Sequence, residues 1–131
     1  MELGTTHTYT HAPNRAYRKS LARASHTVTE SEKDLEARLR REVKKRGGLA
    51  LKLLSQLHRG LPDRLILMPC GLTYFAEIKT TGKKPTKLQL RCHEQLRALG
   101  FRVFVIDSTA SLEEALSVID AEANISNPDR R

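Results

Sequence analysis

Hydrophobic positions along this chain switch between two periods. Leu35, Leu39 and Val43 recur at helical spacing, which predicts a helix from a cap among residues 29–31 to about Arg46, closed by Gly47 and Gly48. Beyond the glycines the pattern becomes strand-like. Residues 49–53 form one apolar run, residues 65–68 a second and residues 74–79 a third, separated by a polar turn at 55–60 and a Pro69-Cys70-Gly71 hairpin turn. After a loop at 80–85, Thr86 caps a predicted helix reaching about Leu99, with Leu88, Cys92, Leu96 and Leu99 on one face and Gly100 as its stop. Residues 102–106 are apolar through their middle, as expected of a buried strand. Ser111 and Glu114 have capping-box spacing and predict a last helix with the stripe Leu112, Ala115, Leu116 and Ile119.

The order helix, three strands, helix, strand, helix describes an α/β domain on a mixed four-stranded sheet flanked by helices. No internal repeat is visible. Residues 1–29 mix Thr, His, Ser, Ala, Arg and Tyr without a sustained apolar period, which predicts a flexible basic tail. Its Arg15, Arg18, Lys19 and Arg23 are expected to be solvated. The folded domain is assigned to residues 30–123, and a carboxy-terminal tail to residues 124–131.

Composition narrows the class. With 131 residues, 39% of them hydrophobic, the chain can bury one real core. Lys and Arg outnumber Asp and Glu by 23 to 15, a formal net charge of +8, which favours polyanionic partners. No membrane role is expected, because no apolar run approaches the roughly 20 residues of a spanning helix and no signal-peptide core is present. A soluble, cytoplasmic protein is the expectation. Cys70 and Cys92 lack paired spacing and are read as free thiols, and the Cys92-His93 pair as structural rather than metal-binding.

The candidate chemistry lies in two short segments, Gly60-Leu61-Pro62-Asp63-Arg64 and Glu77-Ile78-Lys79, each in an apolar strand-like run. Adjacent strands would bring Asp63 and Glu77 together, and Lys79 shares a strand face with Glu77 because side chains alternate. Two carboxylates and a lysine in that arrangement suit a divalent-metal phosphodiesterase, since Mg²⁺ takes one or two protein carboxylates plus phosphate and water. For either acid alone, ion pairing with Arg64 or Lys79 is the better reading; the joint pattern reverses it. Glu36 adds a carboxylate on an apolar stripe, which must be paired or metal-bound to tolerate burial. No Ser-His-Asp set, GxxxxGKS loop or His-rich metal spacing competes. His58, Lys52 and Ser55 are weaker candidates near the same turn.

The run GLPDRLILMPCGLTYFAEIKTTGKKPTKLQLRCHEQLRALGFRVFVIDS, with the helix that precedes it, resembles the VRR-NUC family of the PD-(D/E)XK nuclease superfamily, in its short stand-alone phage and bacterial form. The resemblance spans about residues 32–116. It rests on the Gly-Gly helix end, the Gly-x-Pro-Asp-Arg turn, the Lys-Pro-x-x-x-Gln segment and the Leu-Gly-Phe-x-Val strand start, in that order. It implies a restriction-endonuclease-like core, with Asp63 and Glu77 as metal ligands, the Ile78 carbonyl completing the shell, and Lys79 orienting the attacking water and offsetting transition-state charge. It also implies a glutamate from the first helix, where Glu32 and Glu36 both qualify and Glu36 is favoured by its spacing from Gly47. Gln89 matches a glutamine beside the active site. The implied cofactor is Mg²⁺ or Mn²⁺.

Basic residues bracket this centre. Arg38, Arg40, Arg41, Lys44, Lys45 and Arg46 lie on the first helix, and Lys83, Lys84, Lys87 and Arg91 follow the third strand. Of these, Arg40, Lys44, Lys83, Lys84 and Lys87 are the expected phosphate contacts, which give salt-dependent affinity with little base information. Three Tyr, three Phe and no Trp offer few stacking platforms, so branched or duplex DNA is the expected partner. The resulting expectation is a metal-dependent structure-specific DNA endonuclease, acting as a Holliday-junction-resolving homodimer. The alternatives are a flap, nicking or restriction-type nuclease, a non-catalytic DNA-binding subunit, or an interaction domain of a larger complex.

Overall fold

Ser31 opens the first helix by accepting the Asp34 N–H on its Oγ at 3.2 Å, and α1 then runs Glu32–Lys45. Glu32 and Asp34 sit in its first turn and Lys44 and Lys45 in its last, each sign matched to the helix dipole. At the end, Gly47 N–H and Gly48 N–H return to the carbonyls of Lys44 and Val43, with Gly47 at φ +83°. The computed structural model describes residues 30–54, 56–127 and 129. The expected tail 1–29 and Ser55 lie outside the described residues.

Four strands follow the predicted order: β1 (Leu49–Lys52), β2 (Arg64–Leu67), β3 (Thr73–Ile78) and β4 (Arg102–Ile106). They form one sheet in the order β1-β2-β3-β4. The first two pairings are antiparallel and β3 with β4 is parallel, so the sheet is mixed. A 3₁₀ turn at Pro69–Gly71 makes the hairpin between β2 and β3, with Cys70 at φ +65°. The parallel step needs a crossover, which α2 (Lys87–Ala98) supplies before α3 (Thr109–Ser126) closes the domain.

The two sheet faces are covered unequally. Leu35, Leu39 and Val43 of α1 and Leu112, Ala115, Leu116 and Ile119 of α3 pack with Ile66, Tyr74, Ala76, Ile78 and Ile106 into one core. Each Leu, Ile or Val side chain among them contributes about 1.5–3 kcal/mol by burial. The opposite face carries Leu65, Phe75, Glu77 and Val103, and α2 packs on it against β4 and, through Gln89, against Glu77 of β3. At the other edge Leu49 and Leu51 remain exposed, at 60% and 44%.

The structure departs from the sequence expectations at three points. The stripe of α2 is not Leu88, Cys92, Leu96 and Leu99: Leu88 and Leu99 are exposed, and the fully buried residue of this helix is His93. The helix is rotated so that Gln89 and His93, four residues apart, face the sheet at Glu77. The last helix starts earlier than the Ser111–Glu114 spacing predicts. Ser108 is its N-cap and Ser111 occupies the third position, the two exchanging bonds between side chain and backbone. It also runs through Ser126, into the stretch assigned above to a tail. Among the described residues, no helix is long and apolar enough to cross a membrane.

Candidate active site

Asp63 stands immediately before β2 and Glu77 near the end of β3, where continuing the antiparallel register places them opposite one another. Pro62 is buried and anchors the turn that delivers Asp63. The Asp63 Oδ2 accepts the backbone N–H of Ile78 at 2.9 Å, which ties it to the strand carrying Glu77. Upstream, Gly60 adopts φ +92°, and a Cβ there would come within 2.7 Å of the Leu88 carbonyl oxygen. The first glycine of the Gly-Leu-Pro-Asp turn is therefore required both by its backbone and by the start of α2 packed against it.

Glu77 is the centre of the arrangement, with its side chain 1% exposed. Its Oε1 accepts from Gln89 Nε2 at 2.9 Å, and the Lys79 ammonium lies 3.5 Å from the same oxygen. Its Oε2 is buried with no hydrogen-bond partner among the described residues and faces His93 Nε2 at 3.7 Å. Burial first, and then the adjacent Asp63 carboxylate, push the Glu77 carboxyl up to about 7, against the opposing pull of Lys79. Burial, followed by the positive Arg97 and Lys79, lowers the pKa of His93, although Asp63 pulls the other way.

Gln89 is fixed at both ends of its amide. Its Oε1 accepts the Thr86 N–H at 2.9 Å while its backbone N–H donates to Thr86 Oγ1 at 3.2 Å, a capping box that starts α2. The helix terminus and the orientation of Glu77 thus depend on one side chain.

The first-helix glutamates are placed apart from this pair. Glu36 Oε2 receives Arg64 Nη2 at 3.3 Å, on the side of the sheet that α1 covers. Arg64 therefore serves Glu36 rather than Asp63. Glu32 Oε1 accepts from both the N–H and the hydroxyl of Thr80 at 3.1 Å, bracing the chain just past Lys79. Among the described residues, no group of three or more His, Cys, Asp or Glu side chains converges into a ready metal cluster. The donors that do meet, Asp63 and Glu77, are oxygen donors whose mutual repulsion a hard cation would relieve, and Glu77 Oε2 gives such a cation a buried electron pair.

The basic residues divide by engagement. Arg38 pairs with Glu30 and donates to Thr109, Lys45 pairs with Glu42, and Arg46 bridges Glu42 and Asp120. These brace the fold. Arg40, Arg41 and Lys44 are exposed and, with Gly48, Leu49 and Ala50, line an open groove between α1 and β1. Lys83, Lys84 and Lys87 are exposed on the segment after Lys79, and Lys52 and His58 are exposed near the Asp63 turn. His93, read from sequence with Cys92 as structural, lies buried against Glu77, and the signal for that placement was its four-residue spacing from Gln89.

No family model matches the sequence. A curated relative, "Putative nuclease p44" of Acyrthosiphon pisum secondary endosymbiont phage 1, is 49% identical over 77 residues, covering 59% of this chain and 83% of that protein. A solved structure described as a VRR_NUC domain superposes with a TM-score of 0.63 at 32% identity, covering 66% of this chain and 94% of the other.

Proposed function

This chain belongs to the VRR-NUC family of nucleases, and from that premise we propose that it is a divalent-metal-dependent endonuclease of branched DNA, working as a homodimer that resolves four-way junctions. The observation that carries the metal-dependent part is the meeting of the Asp63 and Glu77 carboxylates at the ends of β2 and β3, with the Lys79 ammonium beside Glu77. Asp63, Glu77 and the Ile78 carbonyl are the proposed ligands of Mg²⁺ or Mn²⁺. When bound, the ion supplies Lewis acidity toward a phosphoryl oxygen and lowers the pKa of water.

The remaining roles belong to the protein's own groups. Lys79 Nζ orients water for attack and offsets charge gathering on the phosphorus oxygens. Gln89 Nε2 holds Glu77 Oε1 and keeps that carboxylate from rotating. Glu36, restrained by Arg64 one residue from Asp63, contributes through water. Arg40, Lys44, Lys83, Lys84 and Lys87 hold the DNA backbone by charge, which fits recognition of shape rather than base sequence. In the proposed two-fold dimer, symmetry would bring two centres to opposed strands of a junction.

The test is cleavage of labelled four-way junction, flap and linear duplex with Mg²⁺ or Mn²⁺, beside Asp63→Ala. Paired symmetrical junction cuts, lost in the variant, are expected. Preferential cutting of the flap or the duplex would replace the junction assignment while leaving the metal-dependent nuclease in place.

A further inference from the structure

Three polar atoms with no hydrogen-bond partner among the described residues meet beneath α2. They are Glu77 Oε2 and the two ring nitrogens of His93, and both side chains are almost wholly shielded from solvent. Leaving a buried donor or acceptor unsatisfied costs about 1–3 kcal/mol, so an interior position facing a sheet is normally filled by an apolar side chain. A leucine of similar bulk would suit this seam for packing alone.

We propose that His93 is a positioning residue for Glu77, holding the second carboxylate oxygen as Gln89 holds the first, so that the acid presents a single orientation to a divalent cation. The inference rests on the metal-dependent reading of Asp63 and Glu77 given above. Its geometry stands on two contacts from one helix face: Gln89 Nε2 to Glu77 Oε1 at 2.9 Å, and His93 Nε2 to Glu77 Oε2 at 3.7 Å. Residues four apart on a helix share a face, so both contacts move together with α2. A neutral imidazole can donate from Nε2, and a displacement of under about 1 Å would close the second contact to hydrogen-bond length. Groups that orient a metal-binding side chain in this way change metal affinity without touching the metal.

The discriminating experiment measures Mn²⁺ binding by calorimetry and thermal unfolding of the metal-free protein for wild type, His93→Leu, His93→Gln and Glu77→Gln. His93→Leu keeps the volume and removes the nitrogens, so it is expected to unfold no earlier than wild type while binding Mn²⁺ about 10- to 100-fold more weakly. His93→Gln returns a nitrogen near the Nε2 position and is expected to recover most of that loss. Should His93→Leu not fold, His93→Asn takes its place, since its amide stops short of the Nε2 position and must show the same weakening. Wild-type affinity in the leucine or asparagine variant, or a glutamine variant that binds no better than they do, overturns the positioning role. Equal Mn²⁺ binding by wild type and Glu77→Gln overturns the metal reading of the acidic pair itself, independently of His93.

Discussion

Gln89 donates its amide N–H to Glu77 across the gap between α2 and β3, at 2.9 Å, with the same amide whose oxygen caps the helix. The two uses separate by substitution. Gln89→Glu keeps an acceptor suited to the capping box but loses the donor and adds a negative charge beside Glu77, so the helix should form while DNA cleavage falls at least tenfold. Gln89→Ala removes both functions and should also lower stability by about 1 kcal/mol. Thermal unfolding and single-turnover cleavage of the two variants check the division.

Gly60 should tolerate no side chain. Gly60→Ala meets a φ of +92° and the Leu88 carbonyl oxygen at 2.7 Å. The strained backbone alone costs about 1–3 kcal/mol. Relief of the clash displaces the start of α2 and with it Gln89, so cleavage should fall further than stability does. Comparison of cleavage rate with denaturation midpoint would expose a purely structural effect, in which activity tracks the folded fraction.

Glu77 makes the metal-free protein sensitive to pH in a defined direction. Its carboxyl is raised from 4.5 to about 7 in the folded state, so the native protein retains a proton that the unfolded chain releases. Stability is therefore highest at low pH on this account, falls as pH rises through the window from 4.5 to about 7, and has lost about 3 kcal/mol above it. Glu77→Gln should flatten that slope and raise the melting temperature of the metal-free protein at pH 8. Divalent ions should raise the wild-type melting temperature more at pH 8 than at pH 6. Melting curves across this range, with and without Mn²⁺, give the answer, and a slope unchanged in Glu77→Gln would contradict it.

On the proposed reading, Lys79 adds charge stabilisation at the reaction to the contact it already makes with Glu77 in the resting site. Lys79→Met should lower kcat by about 100-fold or more, as loss of a transition-state donor does elsewhere. Apparent DNA affinity should change little. A variant whose KM rises while kcat holds would place Lys79 in DNA binding instead.

Arg40 and Lys44, and separately Lys83, Lys84 and Lys87, are exposed and should act through phosphate neutralisation. Alanine replacement of either group should weaken junction and duplex binding alike, and reduce the slope of log K against log salt by about 0.9 for each phosphate that is no longer neutralised. Titrations at several salt concentrations measure this directly.

Much of the fold was legible because periodicity and end signals agreed. Leu35, Leu39 and Val43 are all fully buried, and the four strands fall where the apolar runs place them. The acidic pair and Lys79 were legible because period-two alternation and hairpin pairing decide which strand side chains meet. What escaped was governed by contacts distant in sequence. The face of α2 could not be chosen from apolar spacing because a polar pair, Gln89 and His93, turns inward toward Glu77. The contact between Glu36 and Arg64, 28 residues apart, likewise could not be read from spacing along the chain. Ser108 and Ser111 both have cap chemistry, and their reciprocal bonds, with Ser108 as N-cap and Ser111 at the third position, set the start of the helix.

The acidic pair, Lys79, Gln89 and His93 all come from one uninterrupted stretch, Asp63 through His93, which folds as a hairpin and the helix after it. α1 and α3 supply the floor beneath that stretch, while the groups facing Glu77 come from within it. The grouping is therefore local along the chain in a way that a centre gathered from remote segments is not. On the metal-dependent reading, a substitution in α3 or along the β1 edge would reach the centre through its support alone, whereas one between Asp63 and His93 would alter the groups around Glu77 directly.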